Sequence, residues 1–566
     1  MINLKQIASE ILNNSFPDIS EDSFLEMLET PPNSDMGDVA MACFRLSKQL
    51  RKSPNEIAAN FSDKIQPNLT FSKIEAVGGY LNFFVNKSEY TKSVLDGIAK
   101  AGENYGSSDV GEGKTICIDY SAPNIAKPFH VGHLFTTVIG NSLYRTFKFM
   151  GYNVVGINHL GDWGTQFGKL ITAYKHWGDK ETVTLGKVDE LVKLYVKFHD
   201  EAEIDKSLED EARAWFVKLE DGDKEALELW QWFVDLSLVE FKKVYERLNI
   251  EFDSYAGESF YNDKMTPILE ELKEKNLLIE SEGAMIVSLD DYNMPPCLLL
   301  KKDGSTLYST RDIAAGFYRK QHYKFEKSLY VMGASQALHF KQWTKVVELM
   351  GYDWPQDCVH VPFGMVSIAG KKLATRTGNV VLLDELFDEA VSRTLEIIKE
   401  KSPNMPNKEV TASQIGIGAI VFGYLSSNRI KDISFSWEDA LNFDGETGPY
   451  VQYAHARCCS LLSSFENQDA FDFDVALIDS NEEFQLIKIL SQFQEKIQHS
   501  LNEYEPSVIT RYLVDVAQAF NRFYHEHKIL VDNKELMNSR LNIVNAARIV
   551  LRNGLHLIGL MAPNRV

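Results

Sequence analysis

Residues 115–158 constrain this chain more than any other stretch. Thr115–Tyr120 (TICIDY) is a short β-type run, and Ser121–Phe129 (SAPNIAKPF) is a proline-bearing loop. Apolar residues then recur at helical spacing from His130 to about Met150: Val131, Leu134, Val138, Leu143 and Phe147. Asn153–Asn158 (NVVGIN) is a second β-type run. Strand, helix, strand in that order predicts a parallel sheet with crossover helices, because each strand needs helices to cover its faces. The pattern resumes after a long acidic stretch with helical periodicity. There Ser328–Met332 reads as a strand, His339–Met350 as a helix and Cys358–Phe363 as another strand.

The flanks read differently. Before this core lies a small α+β segment: a helical start, a polar stretch at Pro31–Asp38, a helical pattern at Ala42–Phe61, and a hairpin. The hairpin is Ile74–Val77 and Tyr80–Val85 joined by Gly78-Gly79, alternating strands with a tight link. A Gly/Ser-rich junction, Gly102–Gly113, closes the segment. From about Ser413 to Val566 the periodicity is almost wholly helical, which predicts a separate helical domain.

Several domains are expected in 566 residues. The longest apolar-plus-glycine run, Ile415–Leu425, has 11 residues, against ~20 for a membrane span. The N-terminus lacks the uninterrupted apolar core of a signal peptide, so a cytoplasmic, membrane-free protein is expected. None of the six cysteines forms a C-x-x-C pair, which argues against a zinc ribbon and fits a reducing compartment. The net charge of −21 argues against wholesale nucleic-acid binding. It is uneven, however: Asp200–Glu228 carries 12 acidic and 4 basic residues (−8), Lys534–Val566 5 basic and 1 acidic (+4). A local basic face on an acidic protein still binds RNA.

The chemistry concentrates at His130-Val131-Gly132-His133, where the predicted helix begins. Histidines three apart share a face. A helix N-terminus offers unpaired N–H groups and partial positive charge to an anion such as a triphosphate. Gly132 lets a flat group approach the backbone, and Lys127 adds a charge in the preceding loop. A bare H-x-G-H recurs by chance, and its placement between two strands is what gives it weight. A zinc site would need a third ligand and finds none in an E-x-x-H arrangement.

Ser121–Leu134 (SAPNIAKPFHVGHL) resembles the "HIGH" segment of class I aminoacyl-tRNA synthetases in its arginyl form. Asn158–Gly168 (NHLGDWGTQFG), Ser305–Ala315 (STLYSTRDIAA), Tyr330–Phe340 (YVMGASQALHF) and Thr447–Arg457 (TGPYVQYAHAR) resemble the same enzymes, in order along the chain. The resemblance implies a multidomain α/β protein. Its parts would be an N-terminal tRNA-contacting α+β domain (1–108), a Rossmann-type catalytic domain (109–370) with a helical insertion at about 180–295, a KMSK-like loop and stem-contact linker (371–445), and a helical anticodon-binding domain (446–566). It implies ATP with Mg²⁺, L-arginine and tRNA(Arg) as ligands, no protein-bound zinc, and a monomer.

The resemblance also implies roles. His130, Gly132, His133 and Lys127 would bind ATP, with His130 and His133 stabilising the transition state. The mobile second signature is degenerate: in Gly370–Gly378 (GKKLATRTG), Lys372 matches the first lysine but Thr375 stands where the second belongs. Lys127 or Arg376 would supply the missing charge. Arginine is a planar guanidinium with five donors, so its pocket needs acceptors, at least one a carboxylate. Tyr308 and Asp312, four apart on a helix start, would grip it, and Asp119, Asn124 and Gln336 would hold the polar parts. Asp162 and Gln166 would support the pocket, with Trp163 in packing. Singly, each has a structural alternative: Asp119 as a strand end, Asp312 paired with Arg311 or Arg319, Tyr308 in the core. Arg540, Arg548 and Arg552, with Arg565, would contact tRNA phosphates, and Arg45, Lys48, Arg51 and Lys52 would form a second basic stripe.

Three other readings compete. A cysteinyl enzyme needs zinc ligands and a glutamyl enzyme a basic pocket. A small nucleotidyltransferase shares H-x-G-H but has no need of a long helical C-terminus. A catalytically dead RNA-binding relative has no need of His130, His133, Tyr308 and Asp312.

Overall fold

A computed structural model describes residues 3–302, 305–368, 371–372, 382–465 and 473–566. Its centre is a parallel sheet of β1 (Thr115–Asp119), β2 (Asn153–Ile157), β3 (Lys327–Gly333) and β4 (Cys358–Phe363), in the order β4-β3-β1-β2. Leu329 of β3 stands between Ile118 of β1 and Val359 of β4, and Cys117 pairs with Val155 of β2. The chain leaves β1 towards one sheet edge and β3 towards the other. The crevice at the carboxyl ends of these two strands is therefore the switch point where open α/β sheets take ligands.

Helix α1 (Val131–Phe149) crosses from β1 to β2. It lies close to the sheet because Gly140 has no side chain: a Cβ there would stand 2.2 Å from Cγ of Tyr120. The insertion follows β2 and includes helices Lys180–Ile204, Ser207–Glu220 and α2 (Lys224–Arg247). Helical structure was expected to about residue 295. Instead, after Met265–Glu274 the chain forms an antiparallel sheet of Ile279–Ser281, Ala284–Val287 and Cys297–Leu300. The turn at Glu282 (φ 51°) and Gly283 (φ 83°) is left-handed at both central residues, which closes a hairpin and excludes a helix. Helices α3 (Tyr308–Tyr323) and α4 (Ala337–Leu349) then flank β3.

Two compact units result. One comprises Ser107–Tyr453, Ile497–Val514 and Gly554–Val566, and holds the parallel sheet. The other comprises Met1–Gly106, Ala454–Lys496 and Asp515–Asn553. It contains an antiparallel sheet of Leu28–Glu29, Val39–Ala42, Tyr80–Val85 and Phe71–Val77, in that order. Its Gly78-Gly79 turn has φ of 56° and 85°, the primed turn that the two glycines predict. The C-terminal helices Gly448–Leu462, Asn481–Ser491, Phe493–Glu503, Ser507–Glu526 and Lys534–Leu557 are divided between the two units. Among the described residues no helix is long and apolar enough to cross a membrane.

Candidate active site

His130 is the N-cap of α1. Its Nδ1 accepts from the backbone N–H of Gly132 at 3.0 Å, and Nδ1 of His133 accepts from the backbone N–H of His130 at 3.3 Å. The rings lie 4.0 Å apart. With Nδ1 an acceptor on each, the neutral ring carries its proton on Nε2. Burial keeps both rings neutral: it lowers the pKa of His130, and pushes that of His133 down to about 3, with His130 and Lys127 adding to the effect. The pair can thus offer two N–H donors beside the helix N-terminus, suited to an anion. Gly132 has a purpose the sequence did not suggest, since a Cβ there would strike the His130 ring at 2.8 Å. Lys127 is exposed and shares a recess with Gln166 and Tyr195.

Lys372 forms a two-residue strand with Lys371, antiparallel to Val366–Ile368. Arg376 lies outside the described residues. The chain resumes at Leu382, which bridges His130, and the N–H of Leu383 donates to the carbonyl of Phe129 at 3.1 Å. The first described residues after the KMSK-like stretch therefore lie against the H-x-G-H segment.

Asp119 ends β1 and forms an ion pair at 2.8 Å with Nη2 of Arg319, whose side chain is 1% exposed. Asp312 pairs with neither Arg311 nor Arg319: its Oδ2 stands 2.5 Å from Nε2 of His339 on α4. That bond raises the pKa of His339 against the opposing effect of burial. Tyr308, one turn before Asp312 on α3, is 66% exposed and so is not a core residue. Gln336 is exposed in the short turn Ala334–Gln336 after β3. The loops carrying Asn124 and Gly161 are zipped together: Ile125 N–H donates to Gly161 O and Gly161 N–H to Pro123 O, both at 3.1 Å. A Cβ on Gly161 would stand 2.2 Å from Oδ1 of Asn124.

Asp162 has a structural task. Its carboxylate accepts from the N–H (2.8 Å) and Oγ (2.6 Å) of Ser259, and its carbonyl from Nε1 of Trp230 (2.7 Å). Trp163 packs on Phe216 and Trp230. The Ser259 bonds fix the neighbouring Glu258, a residue sequence reasoning missed. Burial pushes the Glu258 carboxyl up to about 7. Arg311, 3.7 Å away, opposes the shift, and the negative fields of Asp162 and Asp312 add to it. The Glu258 carboxyl thus lies within the field of Asp312, with Arg311 as its counter-charge. Among the described residues no cluster of three or more His, Cys, Asp or Glu has the form of a metal site.

Of the arginines expected to meet RNA, Arg540 has partners within its own unit. Its Nε bonds the fully buried Glu483 at 3.1 Å and its Nη1 the carbonyl of Lys528 at 2.7 Å. Arg552 is exposed and paired with the exposed Glu103, and Arg548 bonds Oδ1 of Asn545. Arg45, Lys48, Arg51 and Lys52 are all exposed, beside the exposed ring pair Phe44–Tyr80.

A parallel sheet whose first crossover helix is capped by H-x-G-H, with carboxylates at the switch point, has the architecture of a class I aminoacyl-tRNA synthetase. Known families specify it further. The class I (R) tRNA synthetase catalytic-domain model matches residues 96–437, the arginyl-tRNA synthetase N-terminal domain 3–85, and the DALR anticodon-binding domain 451–566. The arginine–tRNA ligases of Alkaliphilus metalliredigens and Clostridioides difficile are 56% and 52% identical to the chain, over all of both sequences. The solved arginyl-tRNA synthetase of Thermus thermophilus superposes with a TM-score of 0.83 at 23% identity, covering all of both chains, which speaks for the fold. The chain belongs to the arginyl-tRNA synthetase family.

Proposed function

We propose that the chain activates L-arginine with ATP and transfers it to the terminal adenosine of tRNA(Arg), as an arginine–tRNA ligase. The observation that carries this is the 56% identity, end to end, with a curated arginine–tRNA ligase. The carboxylate oxygen of arginine attacks the α-phosphorus of ATP. The bond to the bridging oxygen breaks, and pyrophosphate leaves. The 2′-OH of the terminal adenosine then attacks the activated carbonyl, and AMP leaves. The enzyme acts mainly by positioning the reactants and stabilising charge.

His130 and His133 donate from Nε2 to phosphate oxygens, and their neutrality suits donation rather than proton transfer. Lys127, with Lys372, supplies positive charge for the departing pyrophosphate, the task Arg376 would otherwise share. Mg²⁺ arrives with ATP. Asp312 and Tyr308 receive the guanidinium, joined by Glu258, which ionises against that cation. Asp119, Asn124 and Gln336 hold the other polar groups. Arg540, Arg548, Arg552 and the stripe from Arg45 to Lys52 face tRNA. The division into 1–108, 109–370, 371–445 and 446–566 is retained for these tasks. By resemblance to the family, it acts as a monomer in the cytoplasm.

Asp312→Ala tests the pocket. It should raise the arginine KM by orders of magnitude while leaving the ATP KM nearly unchanged, because only the guanidinium loses its charged acceptor. A loss of equal size for both substrates would sink the assignment.

A further inference from the structure

The loop Ser121–Phe129 holds three non-glycine residues in the left-handed region: Ser121 (φ 73°), Ala122 (φ 46°) and Ala126 (φ 57°). A Cβ disfavours that region, so the surroundings must impose it. Besides the Gly161 loop and Thr136, one stripe of α2 holds the loop at Ser121 and Ala126. Ser237, Phe241 and Tyr245 are spaced by four, on one helix face, and all three are buried. The N–H of Ala126 donates to Oγ of Ser237 at 3.1 Å. Phe241 lies against Phe129, ring centroids 5.3 Å apart. The Tyr245 hydroxyl accepts from Nδ2 of Asn158 at 2.9 Å and lies 2.8 Å from Oγ of Ser121. Oγ1 of Thr137 continues the chain, 2.9 Å from Ser121 Oγ and 2.6 Å from the carbonyl of His133.

The same helix reaches two further segments of the site. Nε1 of Trp230 bonds the carbonyl of Asp162 at 2.7 Å. Past the undescribed KMSK-like stretch, Arg247 pairs with Asp384 at 3.1 Å and Asp388 at 2.9 Å.

We propose that Ser237 and Tyr245 are positioning residues for adenylate formation: from α2 they impose the left-handed backbone at Ala126 and Ser121 that sets Asn124 and Lys127 against the His130–His133 donors. The inference rests on the function proposed above. Neither hydroxyl touches a substrate, and each acts through the loop. The insertion, which a coarse reading treats as an appendage to the sheet, is thereby part of the catalytic geometry.

The test uses the full chain and ATP–pyrophosphate exchange with arginine and total tRNA. Ser237→Ala and Tyr245→Phe should each lower turnover about tenfold, with arginine KM changed less than about threefold. Glycine adopts positive φ at no steric cost, so Ser237→Ala/Ala126→Gly should recover to within about threefold of Ala126→Gly alone. Recovery is the outcome a merely structural serine would not give. The inference is overturned if Ser237→Ala and Tyr245→Phe keep full turnover. It is equally overturned if the double variant stays as slow as Ser237→Ala while unfolding at the wild-type urea concentration. Wild-type exchange with another amino acid would overturn the proposed substrate instead, and the same variants would then be compared with that amino acid.

Discussion

Asp119→Ala exposes a conflict between two tasks. Asp119 is placed to hold substrate, yet its Oδ2 is also the counter-charge of Arg319 at 2.8 Å, and the guanidinium is fully buried. Around it also lie the Tyr330 ring, 5.2 Å from Cζ, and the Tyr261 hydroxyl. Removing one member of a buried pair strands the other charge, at a cost of roughly 3–5 kcal/mol. At 1.36 kcal/mol per decade, that is about 100- to 5,000-fold in the folding equilibrium. With a urea slope near 3 kcal/mol/M, the midpoint should fall by about 1–2 M. Trp343 and Trp354, buried in the same core as Tyr330, contribute to the emission that reads it. Asp119→Ala/Arg319→Met removes both charges and should regain most of the lost midpoint while arginine activation stays impaired. An unshifted midpoint in Asp119→Ala would refute the reasoning, leaving Asp119 a substrate group alone.

Three further outcomes are expected. The Asp312 bond raises the His339 pKa, so imidazolium persists above the ordinary 6.5 and neutralises Asp312 at low pH; arginine KM should therefore rise as pH falls through that transition, and His339→Asn should flatten the profile. An unchanged pH profile in His339→Asn would contradict the pairing. Lys127→Ala should slow activation about 100- to 1,000-fold, as for loss of one preorganised electrostatic group, measured as single-turnover adenylate formation; a change under twofold would remove Lys127 from the mechanism. Gly168→Ala would place a Cβ 2.0 Å from the carbonyl of Ala212, forcing helices Thr165–Trp177 and Ser207–Glu220 apart at a cost of roughly 1–3 kcal/mol, and an unshifted thermal midpoint would argue against that contact.

Legibility followed locality. β1, β3, β4, α1 and the Gly78-Gly79 hairpin were readable because each is specified by its own periodicity or turn. The His130–His133 pair was equally local. The hairpin sheet of Ile279–Leu300 was not, because its short strands follow a helical, acid-rich stretch and interrupt no long pattern. The partners that set the chemistry were hidden for a different reason. His339 lies 27 residues from Asp312, and Arg319 lies 200 from Asp119. Glu258 is one acid among many in an acidic insertion. No spacing rule links such pairs, and only the fold brings them together. Arg540 is a similar case: nothing in its basic stretch signals the buried Glu483 that it bonds.

The most direct test of the central claim is ATP–pyrophosphate exchange with each of the twenty amino acids, in the presence of total tRNA. The account predicts exchange with arginine alone. Exchange with a different amino acid would contradict the reading of Asp312, Tyr308 and Glu258 as a guanidinium site, and exchange with none would contradict the assignment as a working synthetase.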